Sequence, residues 1–288
     1  MPDDSETEPK MSKPPSYEDI RAATLAKPGG RPKLKLKGRD TKGKELFAEK
    51  ADAKASLDED AAAIDQLQDA LYAEGKQALL VVLQGIDTSG KDGTVKSVFK
   101  YTSPLGVRVH PFGRPTADEL KHDYLWRVHQ HCPQKGHIGV FNRSHYEDVL
   151  VVKVRKLAPA EQVEQRYDQI NAFEKHLHEN GTRVLKLMLH VSKEEQSERL
   201  KERLSEPNKL WKFNPDDLED RKLWTQYEAA YETIAARCST DYAPWHVIPS
   251  DSRSRRDAIA ARLIRAALEE MDPKYPNPGW KAEEYPID

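Results

Sequence analysis

Apolar residues along this chain fall into two alternating patterns. Short continuous runs at 78–85 (ALLVVLQG), 107–112, 137–142, 183–191 and 243–250 read as strands. Runs of that length without polar interruption suit parallel strands covered on both faces. Between them, 57–74, 94–101, 117–131, 161–181, 194–204, 218–238 and 255–271 read as helices. In the first of these, Ile64, Leu67, Leu71 and Tyr72 repeat at helical spacing, and Gly75 supplies the stop. Strands alternating with helices predict an α/β fold, a three-layer α/β/α sandwich around a parallel sheet. Residues 1–55 carry little apolar periodicity and read as a flexible arm, with a basic stretch KLKLKGRDTKGK at 33–44. Residues 56–272 read as one folded domain and the Pro-rich 273–288 as an irregular tail.

Composition narrows the function less than it first suggests. The chain has 288 residues and 33% charged residues, but Lys+Arg 46 against Asp+Glu 48 leave a net charge of -2. A uniformly basic nucleic-acid binder is excluded, and no nucleic-acid partner is expected. No apolar run approaches the roughly 20 residues of a membrane span, so no membrane partner is expected either. The polar N-terminus is no secretory leader. Cys132 and Cys238 have no metal-like spacing and read as reduced thiols of a cytoplasmic protein.

The chemistry starts where the first strand ends. Gly85-Ile86-Asp87-Thr88-Ser89-Gly90-Lys91-Asp92 fits G-x-x-x-x-G-K, with Asp92 where Ser or Thr usually stands. A strand leads in and a helix leads out, so backbone N–H groups and the helix N-terminus face one point. Gly85, Thr88, Ser89, Gly90, Lys91, Asp92 and Gly93 are therefore the expected phosphate cradle. Asp87 is the better metal candidate of the two loop carboxylates, since hard Mg²⁺ prefers oxygen. Asn142, Arg143, Ser144, His145, Tyr146, Glu147 and Asp148 follow the 137–142 strand, at the sheet edge where ligands gather. Asp87 with Glu147 or Asp148 is expected to hold Mg²⁺ (or Mn²⁺), while Arg143 neutralises phosphoryl charge. Arg199 and Arg203 lie four apart on one helix face. The segment 205–217, with Lys209, Trp211, Lys212 and Phe213, reads as a cationic lid over about 199–222. Trp224, Tyr227 and Tyr231 fit core packing, and the histidines form no ligand pair. Lys96, Lys100, Arg108, Arg114, Lys121 and Arg127 are candidates for a basic groove leading to Lys91.

Together, LLVVLQGIDTSGKDGTVKSVF, GHIGVFNRSHYEDVLVVKV, RYDQINAFEKHLHENGT, SKEEQSERLKERLSEPNKLWKF and STDYAPWHVIPSD resemble the polyphosphate kinase 2 family over about 57–270. The resemblance implies a P-loop kinase-like fold with a helical lid. It implies Mg²⁺-dependent, reversible phosphoryl transfer between inorganic polyphosphate and nucleotides, and a homo-oligomer (dimer or tetramer). It maps catalytic roles onto Asp87, Lys91, Arg143, Glu147, Asp148, Arg199 and Arg203, with the metal expected on Asp87 and Asp148. Contacts to substrate map onto Asn142, Lys209 and Lys212. The string Asn142-Arg143-Ser144-His145-Tyr146-Glu147-Asp148 is similar to the subgroup acting on both nucleoside mono- and diphosphates. After the last strand the chain reads SDSRSRRDA, unlike the family's aromatic and basic run, so Arg253, Arg255 and Arg256 receive no role. Two rivals use the same residues: an ATP-dependent nucleotide kinase on this scaffold, and a non-catalytic phosphate-sensing switch.

Overall fold

The computed structural model describes residues 14–30, 33–285 and 287. Strands β1 (Leu25–Ala26), β2 (Ala78–Gln84), β3 (Val107–Pro111), β4 (Ile138–Asn142), β5 (Thr182–His190) and β6 (Trp245–Pro249) form one sheet in the order β1-β6-β5-β2-β4-β3. The five expected strands pair in parallel. The two-residue β1, absent from the sequence reading, adds an antiparallel edge against β6. The helices are α1 (Tyr17–Thr24), α2 (Lys50–Glu74), α3 (Lys91–Val98), α4 (Trp126–His129), α5 (Val151–Val154), α6 (Ala160–Glu179), α7 (Lys193–Ser205), α8 (Asp216–Lys222), α9 (Trp224–Cys238) and α10 (Arg253–Met271).

Alternation along β2 explains the layers. Leu79, Val81 and Leu83 pack into the core with α2, α3 and α10, whereas Leu80 and Val82 pack with α6 and α9. Both faces of the central strand are therefore dry, which is why its sequence is an unbroken apolar run. β2 lies between β4 and β5, so the chain leaves it in one direction and later returns on the other side. Ligands in open α/β sheets bind at the carboxyl ends of strands around such a switch. The phosphate loop sits there.

Three sequence expectations are corrected. First, the described part of 1–55 is docked rather than flexible; residues 1–13, 31 and 32 lie outside the described residues. Ser16 and Asp19 form a capping box on α1, and Ile20, Leu36 and Phe47 are buried in the cores. The sequence shows no periodicity because each short element buries only one or two side chains. Second, 117–131 is not one helix. Thr116 and Glu119 exchange side-chain-to-backbone bonds where a single 3₁₀ turn (Glu119–Lys121) begins, and the Asp123 carboxylate accepts from the Leu125 and Trp126 N–H groups at 2.9 and 3.1 Å ahead of α4. These local side-chain bonds compete with a continuous helix. Third, 218–238 breaks at Leu223 into α8 and α9, where Asp220 is held by Arg155 and by the Tyr227 hydroxyl at 2.7 Å.

The N-terminal dock contains a titratable group. The Thr24 hydroxyl donates to Ile20 O at 2.7 Å and lies 2.9 Å from His246 Nδ1, so that nitrogen carries a proton and donates to the hydroxyl oxygen. Burial, followed by Arg21 and Arg183, depresses the His246 pKa to about 3. The unfolded chain takes up this proton below about 6.5, but the folded chain does so only near its depressed value. Stability is thus complete above about 6.5 and falls as the pH drops toward about 3. At pH 5 the expected loss is roughly 2 kcal/mol. A His246→Gln variant is expected to lose less stability between pH 7 and 5, read from urea midpoints. Equal losses in both proteins would refute this account.

Candidate active site

The loop between β2 and α3 has a backbone that few residues tolerate. Gly85 and Gly90 have φ of 156° and 107°, and Thr88, at φ 67°, is one of few non-glycine residues in the left-handed region. A Cβ on Gly85 would lie 2.7 Å from Leu189 O, and one on Gly90 would lie 1.8 Å from Arg256 Nη1. Both glycines are therefore required by close approach as well as by conformation. Gly90 is the N-cap of α3 and supplies no side chain, which leaves the positive end of that helix open. Lys91 folds back, and its Nζ donates to Gly85 O at 2.7 Å. Burial depresses the lysine pKa, an effect opposed by Asp87. Burial raises the Asp87 pKa, but Lys91 and Arg143 outweigh it and hold the carboxyl below its usual range. The Thr88 and Ser89 hydroxyl oxygens are buried and have no partner in the protein.

The second loop leaves β4, the neighbour of β2. Arg143 takes φ 64°, and its N–H donates to Leu83 O at 3.0 Å, which turns the side chain back toward the first loop. Its guanidinium forms an ion pair with Asp87 and lies 3.8 Å from Glu147. Those two carboxylates hold the Arg143 pKa above its ordinary value despite burial. Burial raises the Glu147 pKa. Asn142 Nδ2 donates to Asp92 Oδ1 at 2.7 Å and ties the two loops together. Beneath Arg143 lies a fully buried network. Lys186 Nζ donates to Glu174 Oε2 (2.5 Å), Tyr146 Oη (2.8 Å) and Cys238 O (2.7 Å), and His145 Nε2 lies 3.2 Å from Glu174 Oε1. Burial raises the Glu174 pKa, but Lys186 and His145 more than offset this. The network gives the Arg143 loop a rigid base.

The lid closes the third side. It consists of the end of α7, a 3₁₀ turn (Leu210–Lys212) and α8. Lys212 Nζ lies 3.6 Å from Asp92, and Arg203 donates to Asp217 at 3.3 Å. Asp217, only 5% exposed, faces Asp87. Burial and then that neighbouring carboxylate push its pKa up to about 6. Between lid and loops lies a cleft of about 760 Å³.

The cleft is lined by Asp87, Thr88, Gly90, Lys91, Asp92, Gly93, Asn142, Arg143, Arg199, Arg203, Lys209 and Lys212, as the sequence reading expected. Gly85 and Glu147 instead line a smaller pocket behind Arg143, and Ser89 is buried beneath the loop. Asp148 is placed differently from Asp87. Arg166 Nη1 donates to both its Oδ1 and its main-chain oxygen at 3.1 Å, and Asp148 lines neither cavity. Glu147 shares a pocket with Asp87, whereas its neighbour Asp148 on the same turn points toward Arg166. Lys209 is engaged by Glu202 and Glu206 at 2.6 and 2.8 Å. Of the six groove candidates only Lys96 reaches the cleft. Lys100 pairs with Asp58, Arg114 with Asp216 on the lid and Lys121 with Asp118, while Arg127 donates to Gly113 O.

Several lining residues were missed. Asp217 and Asn214 lie on the lid, and Arg253 and Arg256 start α10. Arg253 and Arg256, three apart just after β6, share the same sheet edge as the loops, and that spacing was the available signal. Arg255 turns the other way and donates to Phe47 O at 2.6 Å. Trp211, set aside from the core on spacing grounds, is 77% exposed on the lid, whereas Trp224, Tyr227 and Tyr231 are buried. Among the described residues no three metal-ligating side chains converge, and no helix is long and apolar enough to cross a membrane.

The profile of the polyphosphate kinase 2 family matches residues 47–276. A Meiothermus ruber protein described as an AMP/ADP-polyphosphate phosphotransferase is 49% identical over 225 residues, covering 78% of this chain and 84% of the relative. A Rhodopseudomonas palustris ADP-polyphosphate phosphotransferase is 40% identical over 225 residues, covering 74% and 78%. The crystal structure of polyphosphate kinase 2 from Arthrobacter aurescens superposes with a TM-score of 0.85 at 37% identity, over 90% of this chain and 95% of that one.

Proposed function

Because this chain belongs to the polyphosphate kinase 2 family, we propose that it moves the terminal phosphoryl group between inorganic polyphosphate and nucleoside mono- or diphosphates, AMP to ADP and ADP to ATP. The observation that carries this reading is the charge of the cleft. Nine lysines and arginines line it against four carboxylates, in a protein whose net charge is -2. Such a site offsets the repulsion between two polyanions, which is the main obstacle when phosphate attacks phosphate.

A terminal phosphate oxygen of the nucleotide attacks the end phosphorus of the polyphosphate chain. The new P–O bond forms as the anhydride P–O bond to the rest of the chain breaks, and polyphosphate leaves one unit shorter. The attacking oxygen is already anionic near neutral pH, so no general base is needed. Bonds of the same kind are made and broken, so the reaction is reversible. Lys91 and Arg143 sit on the loops that meet at this point, and Arg203 reaches it from the lid. Lid closure excludes water, which would otherwise hydrolyse the donor.

A divalent cation, Mg²⁺ or Mn²⁺, fits this site on chemical grounds. The Asp87 carboxylate and the partnerless buried Thr88 hydroxyl are hard oxygen donors on the cleft wall. Held by Asp87 and Thr88, such an ion would add charge neutralisation to the site. The same reading includes a cytoplasmic location, supported by the free thiols Cys132 and Cys238. It also includes a homo-oligomer (dimer or tetramer), supported by exposed Leu105 and Val109 at edge strand β3.

Incubation with polyphosphate, Mg²⁺ and AMP, ADP or GDP, with no ATP added, is expected to yield the next higher nucleotide on chromatography. Absence of product with every acceptor would overturn the reading. Turnover of AMP with ATP alone as donor would favour the nucleotide-kinase alternative.

A further inference from the structure

Arg199 was expected as a catalytic arginine of the lid, but its donors are engaged by the protein itself. Nε donates to Glu195 at 2.9 Å. Nη1 donates to Thr88 O and Ser89 O at 2.8 and 3.2 Å, and Nη2 donates to Ser250 O and Asp251 O at 2.6 and 2.9 Å. A second guanidinium reaches the same loop from the opposite element. Arg256, 2% exposed at the start of α10, donates from Nη1 to Ser89 O at 3.3 Å. Asp257 Oδ1 fixes its other edge, 2.8 Å from both Nε and Nη2, and accepts from Thr94 Oγ1 of α3 at 2.9 Å. The Arg256 head lies flat against Gly90 and Gly93, where added Cβ atoms would come within 1.8 and 3.0 Å of its nitrogens.

The peptide unit between Ser89 and Gly90 is planar, and a trans unit points its C=O and N–H in opposite directions. Two cations holding the Ser89 oxygen therefore aim the Gly90 N–H away from themselves. Gly90 lines the cleft, and its N–H donates to no described group. We infer that Arg256 is a positioning residue for phosphoryl transfer: with Arg199 it grips the Ser89 carbonyl and thereby orients the Gly90 amide toward the substrate phosphates. This rests on the function proposed above. It explains why an arginine at the cleft wall is almost wholly buried with its donors on Ser89 O and Asp257, and why Gly93, inside α3 with an ordinary φ, carries no side chain. Burial and the neighbouring Arg256 depress the Arg199 pKa, so the two cations crowd each other at this carbonyl.

Gly93→Ala tests this directly. It keeps every charge, and its gain in helix propensity offsets part of the cost of shifting the Arg256 head, so its Tm is expected to stay within a few degrees of the wild type. The added methyl displaces the Arg256 head, and kcat is expected to fall about tenfold. Arg256→Met is expected to lose about thirtyfold in kcat or more, and the double variant no more than Arg256→Met alone, because both act through one contact. Arg256→Lys, which retains charge but not the fork, is expected to lose at least about tenfold and serves if the methionine variant does not fold. Activity within about twofold of wild type for Gly93→Ala, or losses that multiply in the double variant, would overturn the inference. Calorimetric binding of inorganic tripolyphosphate separates this from failure of the proposed activity. Gly93→Ala is expected to bind it about tenfold more weakly even if no nucleotide is turned over, and unchanged binding would count against the inference.

Discussion

Lys91→Met is expected to lower kcat for polyphosphate-dependent phosphorylation of ADP by about a thousandfold, equivalent to ~4 kcal/mol of transition-state stabilisation. The size follows from where the ammonium sits. Lys91 is only 8% exposed, its Nζ is anchored on Gly85 O at 2.7 Å, and it lines the cleft beside Asp87 and Arg143. A charge held in a site with little water acts on developing phosphoryl charge far more strongly than one at the surface. It also needs no reorganisation when the reaction occurs. Methionine has nearly the same length and shape and lacks only the charge. Burial of the ammonium costs stability, so the variant is expected to melt at the wild-type temperature or slightly above it. Lys91→Arg is expected to rescue poorly, because the planar fork does not fit the space that a single amine fills against Gly85 O. Steady-state kinetics and a melting curve on the same preparation decide the matter. A methionine variant within about tenfold of wild-type kcat would remove Lys91 from the catalytic group.

The phosphate loop was legible because its determinants are local. A seven-residue apolar strand, two glycines at fixed spacing and a lysine occur together in the chain, and no distant residue is needed to place them. The loop after β4 was legible for a related reason: neighbouring parallel strands end at the same edge, so their following residues must meet. What was not legible depends on contacts distant in sequence. Arg256 reaches Ser89 across 167 positions, and Asp217 faces Asp87 only because the lid folds back over the loop. Neither contact leaves a periodic trace. The docked N-terminal segment is similar, since β1 exists only through pairing with β6. The long helices over 117–131 and 218–238 were over-read for the opposite reason. Apolar spacing persists through Asp123, whose side chain takes the N–H groups that begin a new turn, and through Asp220, which is held by Tyr227 and Arg155 beside the break.

Asp87→Asn is expected to lower kcat/KM by about a hundredfold to a thousandfold, whereas Asp148→Asn is expected to cost less than about fivefold. Sequence alone ranked these carboxylates together as ligands of one cation. The structure separates them. Asp87 is on the cleft wall, and Lys91 and Arg143 hold it ionised well below neutral pH. Removing its charge leaves those two cations without their shared counter-charge and replaces a charged oxygen ligand for the proposed cation by a neutral amide. Its loss is therefore expected to appear as a higher Mg²⁺ requirement as well as a slower rate. Asp148 faces away, accepts twice from Arg166, and burial pushes its pKa up to about 6. Asparagine retains an acceptor for Arg166 and avoids the penalty of a buried charge, so the turn and the fold should persist. The two variants should therefore differ in rate while melting alike. A loss of about a hundredfold for Asp148→Asn at unchanged Tm would place that carboxylate at the phosphates in the closed, substrate-bound enzyme and would overturn the separation. A mild effect in Asp87→Asn would instead leave Asp217, the lid carboxylate facing it, as the group that meets the cation.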